Sequence, residues 1–333
     1  MWDGWAVPQK RVHAGRLGVY ALALWAAVTL VFLLPRLMPG DPIQQLQNQN
    51  SSVFIQDDAS RQRLATYFGL DRPLSAQYLT FLGRTLHGDL GQSIAYNQPV
   101  TRLVSQRLPW TLLLIAVAMA LSSLASFFGG LFAAWHRHSP VDRVGVLLSS
   151  LLHALPPFVT ATGLLILFAV VVPLFPLGGS DTPFAGYHGL AWFIDVGWHL
   201  VLPALALGLS MVAGKWLLVR NTAIVSLGAE YMLLAAAKGV PESLQRRRHV
   251  GANVLAPFVT LLGVEASFAV GGALFVETVF AYPGMGSLIL GAVNSRDYPV
   301  LDGCFLVLTA VVLILNLAID VWYGALMPGA RAR

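Results

Sequence analysis

The sequence predicts an all-α, polytopic membrane protein with about six transmembrane helices. Three observations carry that expectation. Only 11% of the 333 residues are charged and 56% are hydrophobic, whereas soluble domains average roughly 25% charged residues. The mean hydropathy is +0.67. Apolar runs approaching or exceeding the roughly 20 residues of a bilayer span recur along the whole chain instead of clustering at one end.

The first run, 17–34, follows Lys10, Arg11 and Arg16 and ends in Pro35-Arg36-Leu37-Met38-Pro39-Gly40-Asp41-Pro42. It exceeds the 7–15 apolar residues of a secretory signal, roughly speaking, and has no small-residue cleavage site, so it reads as an uncleaved helix. Residues 39–109 are polar and punctuated by Pro and Gly. Within them Leu74, Tyr78, Phe81, Leu82 and Leu86 recur at helical spacing, which predicts short amphipathic helices forming a cap, or equally a structured loop. Further apolar runs follow at 110–135, 146–174, 200–219, 254–280 and 301–326, with Trp110, Trp135, Trp198 and Trp322 near the proposed ends. In the third run, Leu155-Pro156-Pro157-Phe158 after His153 predicts a kink.

Basic residues set the expected orientation. Lys10, Arg11, Arg16, Arg137, Arg143, Arg220, Lys238, Arg246, Arg247, Arg248, Arg331 and Arg333 fall on one side, while the loops 175–199 and 281–300 hold only Arg296. The positive-inside rule then puts both termini in the cytoplasm and the 39–109 cap outside, since long loops translocate largely regardless of charge. The chain divides on this reading into a cytoplasmic tail (1–16), a first transmembrane helix with its external cap (17–109), a five-helix core (110–326) containing the loop 220–253, and a second cytoplasmic tail (327–333). The placement of the positive charge at span ends argues for topology over nucleic-acid binding. Cys304 is the single cysteine, which excludes an intrachain disulfide and a paired-cysteine metal site.

The loop 220–253 is the largest feature expected on the cytoplasmic face. Glu230 to Lys238 is rich in Ala and Leu, strong helix formers. Gly239 is a stop signal for that helix, and Pro241 suits the first turn of a second one. The run Arg246-Arg247-Arg248-His249 follows. Such an element reads either as a bent transmitter of force or as a basic anchor at the membrane surface.

This loop resembles the cytoplasmic loop of ABC importer permeases, specifically those of the dipeptide, oligopeptide and nickel family and its first permease subunit. The matching residues are Glu230-Tyr231, Ala235, Ala237-Lys238-Gly239, His249, Asn253 and Pro257. Other stretches agree in order: Arg36 to Pro42, Gly69-Leu70-Asp71-Arg72-Pro73 with Gln77-Tyr78, Gly88-Asp89-Leu90-Gly91, Arg107-Leu108-Pro109, Val276 to Phe280 with Tyr282-Pro283-Gly284-Met285-Gly286, and Arg296-Asp297-Tyr298-Pro299-Val300. Two stretches depart from it. Leu233-Leu234-Ala235-Ala236 stands where the family usually carries an Arg-Thr-Ala-Arg type run, and Met327-Pro328-Gly329 replaces an Asp-Pro-Arg ending.

The resemblance implies a type I importer permease fold in a bacterial or archaeal plasma membrane, pairing with a homologous second permease. Two cytoplasmic ATPase subunits or domains and an external substrate-binding protein complete the expected assembly. Coupling to the ATPase is expected at Glu230, Ala237, Lys238, Gly239, Val240, Pro241, Glu242 and Arg246. No phosphate-binding loop of the form GxxxxGK[ST] occurs, and HExxH and GxSxG are likewise missing, so the chain is expected to be non-catalytic, with no cofactor or metal of its own. ATP and Mg²⁺ would be held by the partner ATPases.

Ionisable groups inside spans are expensive and point to function. Glu265, about eleven residues into the fifth run, is expected to line the pathway or to make an interhelical hydrogen bond in its protonated form. His153 and Glu277 are further pathway candidates. Lys215 and Glu277, read as lying near span ends, also fit snorkelling or interfacial hydration. The rival function is a secondary transporter driven by an ion gradient through Glu265 and Asp320, although no inverted repeat is visible. Dipeptide, longer peptide, metal chelate and glycoside all stay open as cargo.

Overall fold

The computed structural model describes residues 9–37, 58–245 and 250–326. Its elements are helices α1 (Gln9–Arg36), α2 (Asp58–Phe68), α3 (Leu74–Leu86), α4 (Val100–Trp135), α5 (Pro140–Ala154), α6 (Pro157–Leu165) with a π-helical turn over Ile166–Val171, α7 (Leu190–Leu227), α8 (Glu230–Ala237), α9 (Glu242–Leu244), α10 (Ala252–Val279), α11 (Met285–Ser295) and α12 (Tyr298–Leu326). Among the described residues there is no strand, only an isolated antiparallel bridge between Gln92 and Pro99.

Four of these helices, α4, α7, α10 and α12 over Tyr298–Ile319, are long and apolar enough to cross a membrane, and α5 with α6 makes a fifth if the bent pair counts as one span. Helix α1 covers the first expected run with 28 residues. The architecture is therefore the expected all-helical polytopic one, with four differences in detail.

The third run is not a kinked helix but two helices meeting at 105°. Leu155 and Pro156 both leave the helical region, with ψ of 124° and 147°. Two consecutive prolines explain it, because each disfavours the α conformation in the residue before it and removes a backbone donor. The fourth run extends at both ends into a 38-residue helix. At 1.5 Å per residue it is about 57 Å long, well beyond a hydrocarbon core of about 30 Å. Residues assigned to the loops on either side of 200–219 are thus helical. The second run likewise starts earlier, at Val100, and α11 occupies what was read as the 281–300 loop.

The chain forms two compact units, residues 1–105 with 289–309, and residues 106–288 with 310–333. In the first unit, the periodic apolar residues of α3 pack on α1. Phe32 meets Tyr78 edge-on at 5.1 Å and Phe81 at 5.5 Å, and the Tyr78 and Thr29 hydroxyls share a 2.7 Å hydrogen bond. Leu74 and Leu86, the outer members of that stripe, are exposed. Buried Asp297 accepts from the Ser93 hydroxyl at 2.5 Å and from the Ala95 N–H at 2.9 Å, tying the 91–97 turn to the start of α12.

In the second unit α7 is the central helix, packed against α5, α6 and α10. Small residues allow close approach. A Cβ on Gly130 would meet the Trp216 carbonyl and the Val219 side chain at under 3.0 Å. A core of Ala134, Val219, Ala223, Met232, Val250, Val254 and Phe258 closes the end of this unit that carries α8.

Candidate functional site

The α8–α9 element sits on that core. Glu230 lies in the first turn of α8, where a carboxylate favours the helix N-terminus. Met232 and Ala235, one turn apart, are buried, whereas Leu233 and Leu234 stay 72% and 56% exposed. One face of α8 is therefore packed and the opposite face is an apolar surface with a flanking Ala237 and Lys238 exposed.

The helix ends where its glycine predicts. The Gly239 N–H donates to the Ala236 carbonyl at 3.0 Å and the Val240 N–H to Ala235 at 3.1 Å. Gly239 adopts φ +72°, the left-handed region, which glycine reaches without a Cβ penalty. A Cβ there would meet no described residue within 4 Å, so among these residues backbone conformation and not space selects the glycine. Pro241 then starts a single helical turn, with the Leu244 and Gln245 N–H groups donating to its carbonyl at 2.9 and 3.0 Å. Gln245 Nε2 folds back onto the Val240 carbonyl at 2.7 Å. Arg246, expected in the coupling set, and His249 lie outside the described residues, as do Met38 to Pro42 and the 327–333 tail.

Three polar ties fix this end of the unit. Trp135 Nε1 at the end of α4 donates to Glu242 Oε1 at 2.6 Å; Glu242 is thus engaged within the chain. Asn253 Nδ2 donates to the Tyr231 hydroxyl at 2.8 Å, joining α8 to the start of α10. Arg220 forks onto Asp142, Nε to Oδ1 at 2.5 Å and Nη2 to Oδ2 at 2.8 Å, joining α7 to α5. The Asp142 carboxylate is almost wholly buried and also accepts from the His138 N–H at 3.0 Å. Nothing next to Arg220 in sequence announces this pair, because by itself the residue signals only topology. The signal that would have found it is Ser139-Pro140-Val141-Asp142, a helix start in which the Ser139 hydroxyl accepts from the Asp142 N–H at 3.2 Å.

Farther along α7, Lys215 does not snorkel. Its side chain is 0% exposed, because α7 continues twelve residues past it. Its Nζ lies 2.8 Å from Glu265 Oε2 on α10 and donates to the Ser122 hydroxyl on α4 at 2.6 Å. Glu265, 15% exposed, thus makes an interhelical ion pair. His153 is exposed at the end of α5, before the break. The side chain of Asp320 lies outside the described residues.

Glu277 is not hydrated at an interface. It is fully buried and accepts the Gly286 N–H at 2.6 Å, while Thr111 accepts the adjacent Met285 N–H at 2.8 Å. These contacts satisfy amides at the start of α11, which no earlier turn of that helix can serve. Gly284 lies directly against the Glu277 carboxyl group, and Tyr282 packs edge-on to Trp110 at 5.8 Å. The Tyr-Pro-Gly-Met-Gly stretch that looked like a family signature is thus a tightly packed turn around a buried carboxyl.

Comparison with known proteins finds a family and several relatives. A family model described as binding-protein-dependent transport system inner membrane component matches residues 125–332, which contain the α8–α9 element, both ion pairs and the Glu277 turn. A putative peptide permease protein of Brucella suis biovar 1 is 38% identical over 306 residues, 92% of this chain and 94% of its own length. A glutathione transport system permease protein of Pectobacterium atrosepticum is 33% identical over 308 residues, covering 92% and 94%. A probable peptide ABC transporter permease protein of Sinorhizobium fredii is 31% identical over 324 residues, covering 96% and 99%.

Proposed function

The chain belongs to the family of binding-protein-dependent transport system inner membrane components, and on that premise we propose that it forms half of the pore of an ATP-driven importer for peptides or related small solutes. The relatives' names supply the cargo class: peptides in two cases and glutathione in a third. A homologous permease forms the other half. An external binding protein delivers solute, and two cytoplasmic ATPase domains, which hold ATP and Mg²⁺, supply the energy. Both termini lie in the cytoplasm of a cell whose inner membrane the chain crosses.

The observation that carries the coupling assignment is the two-sided character of α8. Met232 locks it to the ends of α4, α7 and α10, Ala235 is buried beside it, and Leu233 and Leu234 on the other side are exposed and apolar. Glu230, Ala237, Lys238, Gly239, Val240 and Pro241 frame the contact with the ATPase, joined by Arg246. Glu242 acts from within, by fixing the bend to Trp135. Displacement of α8 is then passed to three spans at once, since the Tyr231–Asn253 and Trp135–Glu242 ties hold the α8–α9 element to α10 and α4 and oppose its tilting independently.

Glu265, partly exposed about 18 Å along α7 from its α8 end, taking 1.5 Å per residue from Leu227 to Lys215, is the pathway candidate this arrangement supports best. The exposed His153 is a second, and the buried Glu277 supports the pore wall. An ion-gradient mechanism gains no support, because Glu265 is paired with Lys215 and the family is one of binding-protein-dependent systems.

Cysteine cross-linking tests the coupling assignment. In a Cys304→Ser background, Leu234→Cys is expected to cross-link to the cognate ATPase in membranes, with a yield that changes when ATP is bound. The absence of any cross-link from Leu233, Leu234 and Ala237, in a complex that still imports, would remove the assignment.

A further inference from the structure

The N-terminal unit holds a recessed cleft of about 360 Å³. Its walls are the end of α1, the end of α2, α3, the 89–94 turn and the first turn of α12. That volume falls within the roughly 300–1,000 Å³ of small-molecule sites and is larger than a socket for one inserted side chain requires.

Three guanidinium groups line the cleft, those of Arg36, Arg72 and Arg84, against the carboxylates of Asp89 and Asp302. Arg36 is committed. Its Nη1 donates to both Asp302 oxygens at 2.9 and 3.2 Å and to the Phe32 carbonyl at 2.6 Å, and its guanidinium stacks 3.6 Å from the centroid of the Phe32 ring. Arg84 is only loosely paired: Nε stands 3.9 Å from Asp89, beyond hydrogen-bond range, with the two side chains 59% and 60% exposed. Asp89 Oδ1 already accepts the Gly91 N–H at 2.9 Å. Arg72 has no ion pair among the described residues. The cleft thus carries one fixed ion pair at its floor and a surplus of guanidinium at its rim.

A guanidinium fork matches planar carboxylate geometry, and Arg is favoured where that match matters. The rings of Tyr67 and Tyr298 and the side chains of Leu70 and Ile94 line the remaining wall, so the space suits an organic body attached to the anion. We propose that the cleft binds a small organic carboxylate, the C-terminal carboxylate of a short peptide, with Arg72 and Arg84 as its recognition groups. The choice of a peptide as the carboxylate's carrier rests on the importer reading above.

The test uses the intact transporter complex in lipid nanodiscs, without the binding protein, and titrates it with dialanine and with dialanine amide. Saturable binding of dialanine is expected, with a loss of about tenfold or more on amidation and on the double change Arg72→Gln/Arg84→Gln. No saturable binding, or equal binding of the amide, overturns the proposal. If the double variant binds dialanine normally but captures the binding protein poorly, the cleft is a protein-docking socket and the proposal is again overturned. Failure of the importer reading shows separately. Vesicles carrying the complete wild-type system would import no peptide, while the carboxylate-dependent binding and its loss in the double variant would persist.

Discussion

Lys215 of α7 and Glu265 of α10 form an ion pair at 2.8 Å in which the ammonium is wholly buried and the carboxylate retains 15% exposure. The pair is asymmetric, and that asymmetry predicts unequal effects of removing either partner. Breaking a buried pair leaves an uncompensated charge and costs about 3–5 kcal/mol. Glu265→Gln strands the buried Lys215 ammonium, so it should approach the upper end. Lys215→Met strands a carboxylate that water can reach, so it should fall at the lower end. The double change Lys215→Met/Glu265→Met should recover most of the loss. Thermal unfolding of the transporter in nanodiscs checks this. Additive losses in the double variant, or the reverse order, would count against a buried pair.

The Asp142–Arg220 fork yields a second prediction. Arg220→Lys keeps the charge but replaces two aligned donors with a point charge, and Arg220→Ala leaves an almost fully buried carboxylate with, among the described residues, only the His138 N–H to satisfy it. Charged hydrogen bonds contribute about 1.5–3 kcal/mol. The Lys variant should therefore lose roughly half of what the Ala variant loses. Hydrogen exchange at the 136–142 turn should accelerate in the same order. Protection unchanged in Arg220→Ala would show that the fork does not hold the turn.

The sequence made the class of fold legible because span-length apolar runs and a charged fraction of only 11% leave few other options. It also exposed α8 and its glycine stop, since Glu230, the Ala-rich stretch, Gly239 and Pro241 are local signals. The features it obscured depend on packing that no local pattern states. Lys215 read as a snorkelling end residue because hydropathy truncated α7 near Arg220, yet the helix continues to Leu227 and places the ammonium beside Glu265. Glu277 read as interfacial because nothing local shows that α11 begins against it. The 105° turn between α5 and α6 was visible as two prolines, but their sequence does not state the angle.

The turn around Glu277 makes a discriminating prediction about two glycines. An added Cβ on Gly284 would overlap the Glu277 carboxyl, whereas one on Gly286 would overlap backbone atoms of Leu274 as well as Glu277 Oε2. Both Gly284→Ala and Gly286→Ala should lower the yield of folded protein. Only for the first does a side-chain change remove every obstacle, since the Leu274 backbone stays in the way of the second. Glu277→Ala should therefore partly rescue Gly284→Ala and leave Gly286→Ala unimproved, as read by monodisperse yield from membranes. Equal rescue of both would mean that the Leu274 backbone yields.

Gly239 separates backbone conformation from steric room. Its φ of +72° is unfavourable for L residues, yet a Cβ would contact no described residue within 4 Å. The left-handed conformation costs a non-glycine residue roughly 1–2 kcal/mol, less for Asn and more for β-branched side chains. If the bend between α8 and α9 sets the surface offered to the ATPase, uptake should fall in the order Asn, Ala, Val. Asn should remain close to wild type, and Val should abolish uptake while membrane insertion and pairing with the second permease persist. ATPase activity in the Val complex should no longer respond to the loaded binding protein. Normal uptake by Gly239→Val would show that the bend does not couple the two, even if α8 touches the ATPase.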